Sequence, residues 1–280
     1  MNYRHAFHAG NFADVLKHVI LVRVLLHLRA KETAFRLIET HAGAGRYDLE
    51  NEAAKRTGEW RDGVGRVLGK SIGRPADEIV APYLALVRGK DDGFHLRSYP
   101  GSPALALALA RPQDRLTFHE LHPEEYAALA ALVGRGNHRA VHDDGWPALK
   151  AELPPPERRG VVLVDPPFEE PGDFNRLASG LAEAHKRWAT GIYLLWYPIK
   201  DRREVEAFAR RVGELGIPKI LRAELAVGVP ARDQPLTACG LLAVNPPWTL
   251  EQDLKAALPA LADALGRGQP GTYRLEWLVS

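Results

Sequence analysis

Residues 160–170 read GVVLVDPPFEE. Four apolar residues, Val161 to Val164, run straight into an aspartate, two prolines and an aromatic. The apolar run reads as a strand. A chain that needed only to end it could use one glycine, so the tetrapeptide Asp165-Pro166-Pro167-Phe168 requires another explanation.

Outward from this stretch, short apolar runs alternate with segments of helical period. Candidate strands are FRLIET (35–40), RLTFHEL (115–121), RAVHDD (139–144), GVVLVD (160–165), GIYLLWYP (191–198), ILRAELAV (220–227), GLLAVN (240–245) and TYRLEWLV (272–279). Helical patterns cover 123–133, 173–188, 201–215 and 249–266. Strand, helix and strand in succession describe an α/β fold, a Rossmann-like doubly wound sheet whose strands are expected to run parallel. An amphipathic helix is expected over 11–30, with Asn11 as its N-cap. Residues 47–98 separate the first strand from the second too widely for one crossover and read as an inserted helical subdomain. The sheet domain then comprises 1–46 and 99–280. Its next helix is expected to start near Ser102, with proline in the first turn.

At 280 residues with 46% apolar side chains, the chain has material for a full core. Its single cysteine, Cys239, has no internal partner, and the N-terminal stretch lacks the basic-then-apolar order of a signal peptide. A reducing, cytoplasmic setting is therefore expected. The most apolar helical stretch, Val19 to Leu28, is broken by Arg23 and His27 and falls short of the roughly 20 residues a bilayer requires, so no membrane role is expected. A formal charge of +2 is too small to announce nucleic-acid binding, and pairs such as Arg202-Arg203 serve equally as solvated helix faces. His5 with His8, or His41 with His18, lack the partners of a recognisable ligand set, so no metal is expected. No apolar helix face is left over, which favours a monomer.

The first strand runs into ETHAGAGRY, where Gly43 and Gly45 let a ligand approach the backbone. The helix that a pyrophosphate would need does not follow at once, so a ligand without phosphates is expected and a nicotinamide dinucleotide is disfavoured. S-adenosylmethionine meets that description. Glu120, at the tip of FHELHP, is placed to accept hydrogen bonds from both ribose hydroxyls. At HDDGW, either Asp144 or Asp143 could accept from the adenine amine while Gly145 lets the ring lie against the backbone. Taken singly, each acid reads equally well as a helix cap or a turn residue; together they converge on one crevice.

An exocyclic adenine amine is a poor nucleophile because its lone pair is delocalised into the ring. Methylating it requires acceptors that hold both amine hydrogens. Asp165 offers a carboxylate, and Pro166 a main-chain carbonyl that the helix-averse Pro166-Pro167 pair keeps out of regular structure. Phe168 offers a face for stacking a base, worth about 1–3 kcal/mol. Fixed acceptors aimed at developing positive charge are electrostatic preorganisation, and no nucleophilic residue is needed.

The combination YRHAFHAGNFADVLKH, THAGAGRY, YPGSP, ELHP, DDG and DPPF resembles the ribosomal RNA large subunit methyltransferase J family, over essentially the whole chain and including TGIYLLWYP and VNPPWTLEQ. The resemblance implies S-adenosylmethionine-dependent methylation of the N6 atom of one adenine in 23S ribosomal RNA. It further implies cofactor contacts from Lys17, His18, His41, Ser102, Glu120, Asp144 and Gly145, a catalytic Asp165, and Tyr3 beside the target base. The family pattern has tyrosine after the two prolines where this chain has Phe168. The stacking face survives that change, and activity is expected to survive with it.

A second tetrapeptide, Asn245-Pro246-Pro247-Trp248, also follows an apolar strand. A late strand is expected toward the far edge of the sheet, which leaves 165–168 beside the ligand crevice and 245–248 as a strand terminator. Two rival functions are a DNA adenine methyltransferase and an α/β module that binds RNA or a nucleotide without chemistry. Against the second stands the acceptor carboxylate of Asp165.

Overall fold

The computed structural model describes residues 5–89, 96–229 and 235–280. The chain enters through a short 3-10 turn (His5–Phe7) and α1 (Phe12–Arg29). It continues through β1 (Arg36–Glu39), β2 (Arg46–Asp48), α2 (Glu52–Thr57), α3 (Glu59–Asp62), α4 (Val64–Val67), α5 (Ala76–Arg88), β3 (Ser98–Pro100) and α6 (Ser102–Leu109). There follow β4 (Arg115–His119), α7 (Pro123–Val133), β5 (Arg139–Val141), α8 (Ala148–Ala151), β6 (Gly160–Val164), α9 (Asp173–Arg187) and β7 (Ile192–Pro198). The last elements are α10 (Arg202–Gly213), β8 (Ile220–Ala226), β9 (Ala238–Val244), α11 (Leu250–Leu265) and β10 (Thr272–Val279).

All eight strands expected from the pattern are present, and they form one sheet in the order β10-β8-β9-β7-β6-β1-β4-β5. The strands β5, β4, β1, β6 and β7 are parallel neighbours. The expectation of parallel strands fails at two of the eight: β9 lies antiparallel between β7 and β8, and β10 is antiparallel to β8. The reason is local. No helix separates β8 from β9 among the described residues, so the chain turns back and pairs with itself as a hairpin does.

Successive residues of β6 feed the two faces of the sheet. Val161 and Leu163 join the apolar cluster that includes α1 and α11, whereas Val162 and Val164 join the cluster of α9 and α10. Helix α1 starts as its sequence suggests, Asn11 accepting from the amides of Ala13 and Asp14. It is not amphipathic, however. Contacts with α5, α6, α11 and β9 surround it, so even Asp14, Lys17 and His18 are buried.

Between β1 and β4, the short antiparallel pair of β2 and β3 brackets helices α2 to α5. Neither of these two strands is legible as a strand in the sequence, each being three residues long. The side chains Val64, Val67, Val80 and Tyr83 belong to the same buried cluster as α1 and α11, so these helices share the core of the sheet domain. Ser102 opens α6 with Pro103 behind it, as expected.

Candidate active site

The carboxyl ends of the five parallel strands open into a cavity of about 940 Å³. It lies where the strand order reverses, between β1 and β6, the position at which open α/β sheets bind ligands. Lys17, His18, His41, Gly43, Ser102, Glu120, Asp144, Gly145, Asp165, Pro166 and Phe168 all line it. Tyr3 lies outside the described residues. Asp143 does not line the cavity, so of the two acids in HDDGW the structure brings Asp144 to it.

At the floor, Lys17 Nζ lies 2.5 Å from Asp165 Oδ2 and 3.0 Å from Asp14 Oδ1. Burial opposes the Lys17 charge, but the two carboxylates outweigh it and hold the ammonium above its ordinary pKa. Asp14 is 1% exposed, and its other oxygen accepts from the Gly10 amide at 2.8 Å and the His5 ring at 2.9 Å. Despite burial, the adjacent His5 ring and the Lys17 ammonium keep its carboxyl well below the usual range. His18 has no exposed surface; its ring bonds the Tyr99 hydroxyl at 2.7 Å, and burial lowers its pKa to about 3.

Glu120 ties two loops together. Its Oε2 accepts from the Gly43 amide and its Oε1 from the His122 amide, both at 2.7 Å. Burial nevertheless raises its pKa above the usual value. A carboxylate has about four acceptor positions, so two remain for ribose hydroxyls. Gly43 has φ of +62°, and a Cβ there would meet the Tyr47 hydroxyl at 2.2 Å. Gly145 is required by close approach instead: its Cβ would stand 1.8 Å from the Thr40 carbonyl oxygen. Ser102 donates to Glu39 Oε1, while Glu39 Oε2 is buried without a hydrogen-bond partner. Burial pushes the Glu39 carboxyl up to about 8.

Around Asp144 the structure adds residues that the sequence did not announce. Its Oδ1 accepts from the Trp146 amide and its Oδ2 from Arg176, whose guanidinium lies 4.7 Å from the centre of the Trp146 ring. The His41 ring meets the edge of Trp146 at 5.2 Å, and burial lowers the His41 pKa to about 4. Asp14 could have been found from its i, i+3 spacing to Lys17 on one helix. Nothing local points to Arg176, which comes from α9.

The tetrapeptide itself leaves the strand through a left-handed residue, Phe168 at φ +51°. For a bulky side chain this conformation costs about 1–2 kcal/mol, and contacts with Phe174 at 4.9 Å and Trp196 at 6.0 Å hold it there. Asn245, at φ +49°, uses the same device elsewhere. Its amide donates to the carbonyls of Ala189 and Gly191, just before β7, at 2.8 and 2.9 Å. Because β9 is antiparallel, Asn245 stands at the amino ends of the parallel strands. Strand direction, not an edge position in the sheet, keeps it from the cavity.

Glu120 and Asp144 suit ribose hydroxyls and an amine, and the glycines leave room for a nucleoside. Chemistry and architecture together place the chain among the S-adenosylmethionine-dependent methyltransferases. The family model described as "Ribosomal RNA large subunit methyltransferase D, RlmJ" matches residues 32–279. Ribosomal RNA large subunit methyltransferase J of Escherichia coli K12 is 42% identical over 280 residues, covering 100% of this chain and 99% of that one. Its namesake from Haemophilus influenzae is 40% identical, with the same coverage. The chain belongs to the ribosomal RNA large subunit methyltransferase J family. Among solved structures, protein LPL1258 of Legionella pneumophila superposes with a TM-score of 0.87 at 34% identity, covering 96% of this chain and 98% of that one. A probable spermidine synthase from Corynebacterium glutamicum, 16% identical with a TM-score of 0.52 over 94% of this chain and 75% of that one, shares the fold alone.

Among the described residues no helix is long and apolar enough to cross a membrane, and no group of three or more histidine, cysteine or acidic side chains could hold a metal ion.

Proposed function

We propose that the chain is a monomeric enzyme that methylates the N6 atom of one adenine in 23S ribosomal RNA, the base being swung out of its stack into the cavity. The observation that carries this reading is the position of Asp165 and Phe168. They line one cavity with Glu120 and Asp144, so an acceptor and a stacking face stand beside a nucleoside seat.

When bound, S-adenosylmethionine supplies an electrophilic methyl group on a sulfonium. Glu120 would accept from its ribose and Asp144 from its adenine, with Gly43 and Gly145 leaving room and His41, Ser102, Lys17 and His18 completing the seat. Asp165 and the Pro166 carbonyl accept the two hydrogens of the target amine and favour the positive charge that grows on its nitrogen. Phe168 and Tyr3 hold the base. The helices within 47–98 form an insertion that braces the N-terminal block, since His8 and Asn11 both bond Glu59.

Incubation with labelled S-adenosylmethionine and total bacterial RNA or DNA, followed by nucleoside analysis, tests the reading. Label is expected in N6-methyladenosine from large-subunit RNA. Label in DNA, or on another nucleoside, would overturn it.

A further inference from the structure

Two carboxylates, Asp14 buried and Asp165 part-buried, share one ammonium at the floor of the cavity. Lys17 Nζ is within hydrogen-bond reach of both Asp165 Oδ2 and Asp14 Oδ1, and the exposures of Asp14 and Lys17 are 1% and 4%. A lysine paired with Asp165 alone would cancel its charge and offer nothing to a nitrogen becoming cationic. The second carboxylate changes that sum. With both acids ionised, Lys17 neutralises one of them, and the trio keeps one negative charge while Asp165 is held by a single oxygen. Asp165 Oδ1 has no hydrogen-bond partner among the described residues, so it remains available as an acceptor.

We propose that Asp14 is a positioning residue for methyl transfer: through Lys17 it fixes the orientation of Asp165 and restores the negative charge that Lys17 would otherwise cancel. The inference rests on Asp165 being the acceptor assigned above. Asp14 is itself locked by the Gly10 amide and the His5 ring, so the anchor belongs to the start of α1 and the turn before it. His18, 3.8 Å from Asp14 Oδ1, adds no charge to the sum, because burial holds its pKa at about 3.

A double-mutant cycle tests the idea, with kcat measured at saturating cofactor and RNA, cofactor Kd by calorimetry, and melting to show that each variant is folded. Asp14→Asn leaves the trio neutral and should lower kcat roughly tenfold or more while Kd stays within about threefold. Asp14→Asn combined with Lys17→Met returns one negative charge on Asp165, so its kcat should exceed that of Asp14→Asn alone. A purely structural Asp14 predicts the opposite, a double variant no better than the worse single one. Full kcat in Asp14→Asn, or a folded double variant at or below it, overturns the proposal. If Asp14→Asn does not fold, Lys17→Met and Lys17→Arg serve instead: Arg should recover kcat over Met, and equal loss overturns the inference. Asp165→Asn is the control. If it stays active, the acceptor assignment fails and takes this inference with it; if it is inactive while Asp14→Asn is fully active, this inference alone fails.

Discussion

Asp165 and Asn245, each the first residue of a Pro-Pro-aromatic tetrapeptide, stand at opposite ends of the same sheet. Asp165 follows β6, which is parallel to β7, and Asn245 follows β9, which is antiparallel to it. Replacing each by alanine should therefore have different consequences. Asp165→Ala is expected to cut kcat about 100-fold or more with cofactor Kd changed only severalfold. Asn245→Ala should keep methyl transfer but lose roughly 1–2 kcal/mol of stability, since it removes two hydrogen bonds and puts alanine at positive φ. Single-turnover assays and urea melts distinguish the two, and exchanged outcomes would move the site to 245.

Glu120 holds the Gly43 and His122 amides and still has lone pairs to offer. Glu120→Ala should weaken cofactor binding by about 1–3 kcal/mol and also lower the melting temperature. Unchanged affinity in calorimetry would remove Glu120 from the cofactor seat.

At Gly145 the constraint is room. A methyl group there would collide with the backbone oxygen of Thr40, an atom that cannot swing aside as a side chain can. Gly145→Ala is expected to cost about 1–3 kcal/mol in stability and to impair cofactor binding. A variant with wild-type melting and affinity would show that the two loops separate freely.

Glu39 provides a test through pH. Its folded-state pKa of about 8 stands above the ordinary 4.5, so the folded protein binds its proton more tightly than the unfolded chain does. That contribution is complete below about pH 4.5 and is lost as pH rises through 8. Glu39→Gln mimics the protonated form. Its stability relative to the parent should grow between pH 5 and pH 8, on the order of a few kcal/mol, and level off above. Urea unfolding of both proteins without cofactor at pH 5, 7 and 9 measures this; a difference independent of pH would mean that Glu39 titrates normally.

Phe168 carries a face but no hydroxyl. Phe168→Tyr should leave kcat and KM for RNA within a few fold, whereas Phe168→Leu should raise KM for RNA by about 1–3 kcal/mol equivalent. Equal behaviour of leucine and phenylalanine would rule out stacking.

Strand identities were legible because each apolar run is bounded by glycine, proline or an acid, and the acids at 120, 144 and 165 were legible because they end such runs. What escaped was set by long-range geometry. Pattern marks β9 as a strand but says nothing of its direction; only the missing helix before it hinted at reversal. The burial of α1 was hidden because Asp14, Lys17 and His18 look like a polar face until α5, α6 and α11 close around them. Arg176 and Glu39 offered no motif, and their importance arises from what the fold brings near them.

Because α1 is buried from Phe12 to Val22, the helix that grips Asp165 is also a central beam of the molecule. Substitutions along it cannot adjust chemistry without loading the whole frame, and cavities opened beside Leu16 or Ile20 should reach the methyl-transfer step as readily as the melting curve. Tuning of substrate preference would then fall to the loops at the strand tips, which can vary while that beam stays still.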